Sequence, residues 1–432
     1  MDDLQARFRR LDRVQAPYLW NEAVGRSVEL ELAPRRAFNP GLALMAVALL
    51  LATMAGTLAV GAWLNDQLSP EPEILTYDNG MIVMQQACDG LVGVDPISAA
   101  RRQLAAAPDG CELGWWAAPA WSNDGTRLAY IRPGGEQETH ELWVYEASTG
   151  ESRLLSECSD GCVEGGLDIS PDGSLVAFSA ADDTGVDDLV VVAVDSGEEH
   201  RIDLTGQVNT PQFSPDGSRI AVSVLGGQSG VHVVDISGLP EGSIGIPTLI
   251  HGIVDAFELT WSPDGRWIAM TQSGGLGGLL DEDRPAMNGQ ITLSSKAVVI
   301  ARADGSEARI LATLPTQDYG AWPSWSADSE SVAFATTPIQ DEINHPRLEL
   351  WTVTIDGGEP QRIYATGCCI DGFTGPAWSP DGEWIAFGIS RAVVSAGAAM
   401  FLVRPDGSDL HEIADTVLAE PVWQPLPQAD AD

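Results

Sequence analysis

Apolar and polar positions repeat in the same order six times between residues 121 and 387. Each copy has an apolar residue, a short polar turn and a nearly unbroken apolar run, as in residues 261–270. In the turn Ser-Pro-Asp-Gly, Pro presets the backbone at the second position and Gly can adopt the positive φ that closes a hairpin. A short run with few polar positions, such as residues 385–387, is typical of a strand covered on both faces. The pattern therefore predicts pairs of buried strands, with a small central Ala that lets a neighbouring sheet approach closely.

The spacing of the copies points to one architecture. The aspartates shared by the six turns are Asp124, Asp172, Asp216, Asp264, Asp328 and Asp381. A period of about 45 to 50 residues, here with one long insertion, is typical of propeller blades. Two copies depart from the pattern, because Asn123 replaces the Pro and residues 327–329 lack both Pro and Gly. We expect those two turns to be looser than the others.

Each copy continues into a third strand, a polar turn and a fourth strand. The predicted third strands are residues 142–145, 189–192, 231–234, 297–300, 348–351 and 400–403. Before the first copy, residues 81–84, 91–94 and 101–104 supply a second, third and fourth strand without a first. After the last copy, residues 421–425 supply a first strand alone. The sequence thus predicts an all-β, seven-bladed β-propeller over residues 74–425, whose closing blade is built from both ends of the chain.

Charge is distributed unevenly over the 432 residues, whose formal net charge is −39. Up to Arg36 there are seven arginines against six acidic residues, so the excess of acid lies in the propeller. Phosphate contacts need a basic surface, so nucleic-acid binding by the propeller is excluded.

The first 73 residues have a different pattern. In residues 1–36, Leu4, Phe8 and Leu11 have helical spacing among arginines, which predicts a basic amphipathic tail that lies on anionic lipid or docks a cytoplasmic protein. Residues 41–64 are uncharged and apolar, and as a helix they would measure about 36 Å, enough to cross a bilayer core of about 30 Å. A cleaved signal peptide fits less well, since 36 residues precede the uncharged run that begins at residue 37, whereas a signal peptide has only a short basic start.

The arginine bias before the apolar segment determines the expected orientation. It predicts a single-pass cell-membrane protein with its N-terminus in the cytoplasm and its propeller extracytoplasmic. Residues 65–73 are rich in Pro and acid and suit a linker, and residues 426–432 are expected to be a disordered C-terminus.

The repeated Ser-Pro-Asp-Gly turn, followed by triplets like Ile-Ala-Phe, resembles the WD-like propeller repeats of TolB and of the propeller domains in the prolyl oligopeptidase family. The resemblance covers residues 74–425 and implies the fold more strongly than the function. The first 73 residues do not resemble the α/β domain that precedes the TolB propeller, and seven blades are predicted where TolB has six. Residues 74–425 also lack the Gly-x-Ser-x-Gly motif of the peptidases.

One face of the predicted disc carries nearly all the long loops, namely the second-to-third loops and the links between blades. Binding residues are usually found on such variable loops, so this face is the candidate site. Its candidate residues are Trp116, Tyr319, Trp322 and Phe373, as an aromatic patch around the channel mouth, and Asp281, Glu282 and Asp283, as carboxylates for Ca²⁺. Packing between blades is the alternative for the aromatic residues, and a solvated loop is the alternative for the acidic ones.

All six cysteines are predicted on this same face, in second-to-third loops and links between blades. An even number outside the membrane favours disulfides, and the simplest pairing is Cys88 with Cys111, Cys158 with Cys162 and Cys368 with Cys369. A metal cluster is the alternative, but the spacings match no standard zinc pattern. The six histidines are scattered along the chain, which argues against a metal-dependent lyase.

These observations predict a non-enzymatic binding or scaffold module that holds a protein, peptide or glycan ligand on its variable face and needs no cofactor. One alternative is a transmembrane signalling regulator, since residues 1–36 loosely resemble the cytoplasmic parts of membrane-bound sigma-factor regulators. The other alternative is a propeller hydrolase or lyase.

Overall fold

The structure is a computed structural model in which the chain divides into two units, Met1–Ile74 and Leu75–Asp432. All described residues belong to the second unit: 79–86, 90–106, 118–134, 139–159, 166–181, 187–226, 229–239, 243–251, 256–273, 296–314, 321–338, 347–367, 370–391, 398–417 and 420–425. The predicted tail (1–36), transmembrane helix (41–64), linker (65–73) and C-terminus (426–432) lie outside them. Within these ranges there is no α-helix, and hence none long and apolar enough to cross a membrane.

The described strands form seven antiparallel sheets, which are the blades of a propeller. Blades one to three consist, in chain order, of β4 Ala120–Trp121, β5 Arg127–Pro133, β6 Thr139–Glu146 and β7 Glu151–Ser159; β8 Leu167–Ile169, β9 Leu175–Ala181, β10 Asp187–Ala193 and β11 Glu199–Ile202; and β12 Gln207–Phe213, β13 Arg219–Leu225, β14 Gly230–Asp235 and β15 Thr248–His251.

Blades four to six continue the same order. They consist of β16 Ala256–Trp261, β17 Trp267–Ser273, β18 Lys296–Arg302 and β19 Arg309–Leu314; β20 Ser324–Trp325, β21 Ser331–Thr336, β22 Glu349–Thr354 and β23 Gln361–Ala365; and β24 Ile370–Phe373, β25 Ala377–Trp378, β26 Ile385–Arg391, β27 Ala398–Val403 and β28 His411–Val417. In blade six, β24 and β25 both pair with β26, so the first strand is in two pieces. Residues 370–373 thus extend the inner edge of this sheet.

The seventh blade joins the two ends of the propeller. Its strands are β29 Val422–Trp423, β1 Ile82–Gln86, β2 Gly90–Val94 and β3 Arg101–Ala105, in that order across the sheet. Ile82 pairs with Trp423 and Val83 with Val422. The predicted count of seven blades and the closing blade built from both chain ends are confirmed.

Seven clusters of buried apolar side chains lie between the blades, one at each interface of the described propeller. The central Ala of each repeat is fully buried and faces the following blade: Ala129, Ala177, Ala221, Ala269, Ala333 and Ala386. Residues on either side of it, such as Leu128 and Tyr130, face the preceding blade. The second strands are thus covered on both faces, as their apolar runs predict.

Hydrogen bonds within the repeated turn explain its sequence. In blade three, Ser214 Oγ donates to Asp216 Oδ1 (2.6 Å) and accepts from Arg219 N (3.0 Å), while Asp216 Oδ1 also accepts from Ser218 N (3.0 Å). Gly217 has φ +70° and donates its N–H to Ser214 O (2.8 Å). Ser, Asp and Gly therefore have separate roles: two side chains bond the backbone, and Gly supplies the positive φ.

The expectation of two looser turns was wrong. With Asn123 in place of Pro, the first turn keeps the bond from Ser122 Oγ to Asp124 Oδ1 at 2.6 Å. In blade five, Ser329 takes the position of Gly with φ +63° and still donates its N–H to Ser326 O at 2.9 Å. The Ser–Asp hydrogen bonds close these turns even without Pro or Gly.

Replacing Ser214 with alanine is expected to lower the free energy of unfolding by about 1–2 kcal/mol, because the bonds to Asp216 and Arg219 are lost at a fully buried position. Ser408→Ala is the control, since Ser408 makes the same bond to Asp406 in an exposed turn and its loss is expected to cost less than about 0.5 kcal/mol. Urea unfolding followed by tryptophan fluorescence measures both. An equal loss in the free energy of unfolding for both variants would show that Ser214 does not stabilise the buried turn.

Candidate functional site

The innermost strands of the seven blades line the central channel. In each blade, an apolar residue such as Trp261 leads into the repeated turn. The positions three residues and one residue before it face the channel. The first position, which we call the link-side ring, is occupied by Ala118, Gly166, Thr210, Glu258, Trp322, Gly375 and Glu420, and all seven residues line one cavity. The second position lies two residues later, and we call it the turn-side ring; it includes Asp168, Gln212, Thr260 and Ser324.

The inner strands are bent where they reach the link-side ring. Thr210, Glu258 and Trp322 have φ of 47°, 57° and 42°, and the pairing register shifts beside the first two of them. Positive φ is uncommon for residues other than Gly, and a bulge of this kind turns a side chain in a new direction. The repeated bend places these three side chains in the channel wall.

The channel has two chambers. The link-side chamber has a volume of about 310 Å³ and the turn-side chamber about 690 Å³. Gln212, Thr260, Ala377 and Pro421 line both, so the chambers are continuous. Prolines of the repeated turns and aromatic residues such as Trp261 dominate the wider chamber.

Indole side chains join three blades, the fourth, fifth and seventh, to the blade before each of them. Trp261 Nε1 donates to Gln212 O (3.0 Å), Trp325 Nε1 donates to Thr260 O (3.1 Å) and Trp423 Nε1 donates to Ala377 O (3.0 Å). Each acceptor belongs to a residue of the turn-side ring. The channel wall is therefore built on rigid elements, which suits a binding site.

Glu258 lies in the link-side ring on blade four. Its Oε2 accepts hydrogen bonds from Thr271 Oγ1 (2.7 Å) and Trp322 N (2.8 Å). Burial raises the pKa of Glu258, while these bonds and the charge of Lys296 act in the opposite direction. The carboxyl is thus held firmly in the wall and is harder to ionise than a free glutamate.

Glu420 lies in the same ring on blade seven. Burial, and then the negative charge of Glu258, raise the pKa of Glu420 to about 7, against a hydrogen bond from the Trp322 side chain. The two carboxyl groups therefore interact although they come from different blades. Trp322 is linked to both, since its backbone N–H donates to Glu258 and its side chain lowers the pKa of Glu420.

A third carboxyl lies in the turn-side ring. Asp168 accepts from Ile169 N at 2.9 Å through Oδ1 and from Phe213 N at 2.7 Å through Oδ2. Burial raises the pKa of Asp168 to about 7 despite these bonds. Among the described lining residues of both chambers there is no Arg, Lys or His. The channel is an acidic cavity without a basic residue in its described wall.

The structure brings two of the predicted site residues together. The Trp322 and Phe373 rings make an edge-to-face contact, with centroids 4.9 Å apart, and the Trp322 side chain lies so close to Gly375 that a Cβ there would come within 2.5 Å. Trp116, Tyr319, Asp281, Glu282 and Asp283 lie outside the described residues, as do Cys88, Cys111, Cys162, Cys368 and Cys369. The predicted disulfides, the Ca²⁺ site and most of the aromatic patch therefore stay predictions.

Cys158 was predicted in a link between blades, and this was wrong. It lies in β7, the fourth strand of blade one, where its backbone pairs with His140. That strand runs to Ser159, several residues beyond the length expected from the repeat. Within the described part of the chain, no group of three or more His, Cys, Asp or Glu residues is arranged to hold a metal ion.

Sequence reasoning missed Asp168, Glu258 and Glu420. A signal was available, because Glu258 and Glu420 occupy the same place in the repeat, one residue before Leu259 or Pro421. Comparing the repeats at the positions before the turn would have shown two acids in one ring.

The family model described as TolB beta propeller domain matches residues 115–296. Over these residues the propeller is similar to that of TolB. The resemblance stated from the repeats is confirmed, and it agrees with the bladed fold.

Two relatives share part of the sequence. An uncharacterized protein of Agrobacterium fabrum is 25% identical over 199 residues, which is 40% of this chain and 62% of that protein. An uncharacterized peptidase of Bacillus subtilis is 31% identical over 115 residues, which is 26% of this chain and 17% of that protein. The chain thus spans less than two thirds of the length of either relative.

Among solved structures, the periplasmic gluconolactonase of Pseudomonas aeruginosa aligns with a TM-score of 0.52 over 81% of this chain and 99% of that one. The identity is 14%, so the likeness concerns the fold alone.

Proposed function

We propose that this chain is a membrane-anchored, extracytoplasmic TolB-like propeller that binds a protein, peptide or glycan ligand at the link-side mouth of its channel, without chemistry. The observation that carries the proposal is the arrangement around Trp322. Its ring contacts Phe373, its backbone N–H holds the carboxyl group of Glu258, and Glu420 lines the same chamber. Aromatic side chains beside a few fixed polar groups are the usual composition of a binding pocket.

The membrane anchor and the extracytoplasmic location depend on the sequence. Residues 41–64 are long and apolar enough to cross a bilayer, and the arginines before them favour a cytoplasmic N-terminus. The propeller would then face the compartment in which the predicted disulfides are stable.

Replacing Phe373 with alanine is expected to weaken ligand binding about 30-fold, the effect of losing about 2 kcal/mol at an aromatic contact. Partners in the envelope fraction of the source cells are captured on the tagged full chain. The amount of partner that each variant retains is then compared. Leu154→Ala is the control, because Leu154 is 41% exposed on the outer strand β7 of blade one. Trp322→Ala is the second test variant.

The expected result is a partner retained by the native chain and by Leu154→Ala but lost from both channel variants. Thermal melting of every variant shows whether the propeller remains folded. A partner retained equally by Phe373→Ala and Trp322→Ala in folded proteins would mean that the mouth of the channel is not the binding site.

A propeller hydrolase or lyase is the second candidate, favoured by one observation. The pKa of about 7 that burial and Glu258 give to Glu420 is in the range in which general acids and bases work. Turnover of an ester, lactone or acidic-polysaccharide substrate by the purified full chain, lost in Glu420→Gln, would replace the binding role with this one.

A further inference from the structure

We infer that the link-side chamber recognises a guanidinium group, such as an arginine side chain of a protein or peptide ligand. This inference rests on the proposed function and specifies the chemistry of the same site. It is drawn from the size of the chamber, its charge, an unpaired hydroxyl in its wall and the indole beside its carboxyl groups.

The size of the chamber limits what can enter. Its volume of about 310 Å³ is at the lower end of the range for small-ligand pockets, about 300–1,000 Å³. Such a volume admits one side chain or a small amine more readily than several sugar rings. The chamber is therefore suited to a single group projecting from a larger ligand.

The charge of the chamber selects a cation. Glu258 and Glu420 interact unfavourably with each other, and in the described part of the lining no basic side chain neutralises them. The charged groups that act on the pair are Lys296, which favours ionisation of Glu258, and the two carboxyl groups themselves. A bound cation would relieve their repulsion, and the formal net charge of −39 favours the approach of a basic ligand.

An unpaired polar atom in the same wall is an independent indication of a ligand. The Oγ1 atom of Thr210 is buried and has no hydrogen-bond partner, and Thr210 is a member of the link-side ring. Buried hydroxyl groups normally have a partner, so this hydroxyl would gain one if its side chain turned toward a ligand N–H in the chamber.

The indole of Trp322 favours guanidinium over a simple ammonium. Trp322 is held by the bond from its backbone N–H to Glu258, by the contact with Phe373 and by close packing against Gly375, so its ring is a rigid part of the wall. A planar guanidinium stacks on aromatic rings and carries five N–H donors in a fork that can reach two carboxylates at once. An ammonium is a compact point charge, without the plane that stacks on a ring or the fixed fork of donors.

Isothermal titration of the full chain with three amides tests the inference: N-acetyl-arginine amide, N-acetyl-lysine amide and the neutral N-acetyl-citrulline amide. Binding at pH 8 is expected in the order arginine, lysine, citrulline, with the citrulline amide at least about tenfold weaker than the arginine amide, because charged hydrogen bonds contribute about 1.5–3 kcal/mol. Binding of the arginine amide should weaken by up to about tenfold per pH unit below 7 for each carboxyl that must lose its proton.

The variant E258Q/E420Q removes both charges and is expected to lose the preference for arginine over citrulline. E330Q/E412Q is the matched control, because both of its acids are exposed and it changes the net charge by the same amount. Thermal melting confirms that each variant is folded. Unchanged arginine binding in E258Q/E420Q, or equal binding of the arginine and citrulline amides, would overturn the inference.

Two further outcomes separate this inference from the proposed function. If the lysine amide binds as tightly as the arginine amide, the chamber detects a point charge and the guanidinium assignment is wrong. If no amide binds but a captured partner is still lost from Phe373→Ala, the mouth of the channel binds its ligand by other chemistry, and only this inference fails.

Discussion

Replacing Trp423 with alanine is expected to destabilise the propeller by about 3–5 kcal/mol, the usual cost of truncating a buried aromatic residue. Trp423 is 5% exposed and packs in the cluster that includes Ile82, Met84 and Trp384. It belongs to a strand of only two residues, which closes blade seven against β1. The substitution also removes the bond from its indole to Ala377 O, so blade seven loses a hydrogen bond to blade six.

The strands in which protection from hydrogen exchange is lost show whether the substitution weakens the closing blade or the whole propeller. Hydrogen exchange is expected to rise first in strands β1 to β3, since these depend on β29 to complete their sheet. Trp378→Ala is the control. Trp378 has the same place in blade six, but it is half-buried and, among the described residues, its indole nitrogen has no hydrogen-bond partner. A cost as large for Trp378→Ala, with exchange raised evenly over all blades, would contradict the special role of the closing strand.

Other contacts at the chain ends support the same closure. Gln424 N donates to Met81 O (2.8 Å), and Gln424 Nε2 donates to Gly125 O (2.8 Å) in blade one. On the opposite side, Asp381 N of blade six donates to Asn79 Oδ1 (3.1 Å). The two ends of the propeller are therefore bonded to each other and to both neighbouring blades, which removes two unpaired sheet edges.

The fold could be predicted from the sequence because the same short motif occurs in blade after blade. The turn of Ser, Asp and Gly marks the first hairpin, and the central Ala marks the strand that packs against the next blade, as Ala129 and Ala386 do. The incomplete repeats at the two ends identified the closing blade. The prediction of looser turns was wrong because it depended on Pro and Gly, whereas the hydrogen bonds of Ser326 and Asp328 close the turn without them.

The candidate site was harder to predict, because it depends on residues brought together from distant blades. Glu258 and Glu420 are 162 positions apart in the chain, and each is a single acid in a chain with many. Trp322 was identified for its place near the channel mouth, but its bond to Glu258 and its place in one ring with Glu420 required the geometry. Composition pointed instead to the acidic run at residues 281–283, which lies outside the described residues.

Replacing Glu420 with glutamine is expected to stabilise the propeller at pH 8 and to change its stability little at pH 5. Burial, together with the charge of Glu258, raises the pKa of Glu420 from 4.5 to about 7. A carboxyl whose pKa is raised on folding favours the folded state while it is protonated, and that contribution is lost as the pH rises through about 7. Glutamine avoids the loss, because it is never charged and has nearly the same shape as glutamate.

The difference between 4.5 and about 7 corresponds to about 3 kcal/mol, which is an upper limit because water in the chamber screens the charge. Urea unfolding followed by tryptophan fluorescence at pH 5 and pH 8 measures the effect. Glu412→Gln, at an exposed position, serves as the control and is expected to shift both values equally and by less than about 0.5 kcal/mol. The same stabilisation by Glu420→Gln at both pH values would contradict the linkage.

The aspartates of the repeated turns give the opposite dependence in acid. Burial works against ionisation of Asp216, but the hydrogen bonds from Ser214 and Ser218 outweigh it and lower the pKa of Asp216 to about 2. Its stabilising contribution is present above its ordinary value of 3.8 and is lost as the pH falls toward 2. The native chain should therefore be most stable near pH 4–5, below the range in which Glu420 ionises and above the range in which the turns gain protons. In Glu420→Gln this maximum should broaden toward neutral pH while its acid side stays in place, since the turns are unchanged.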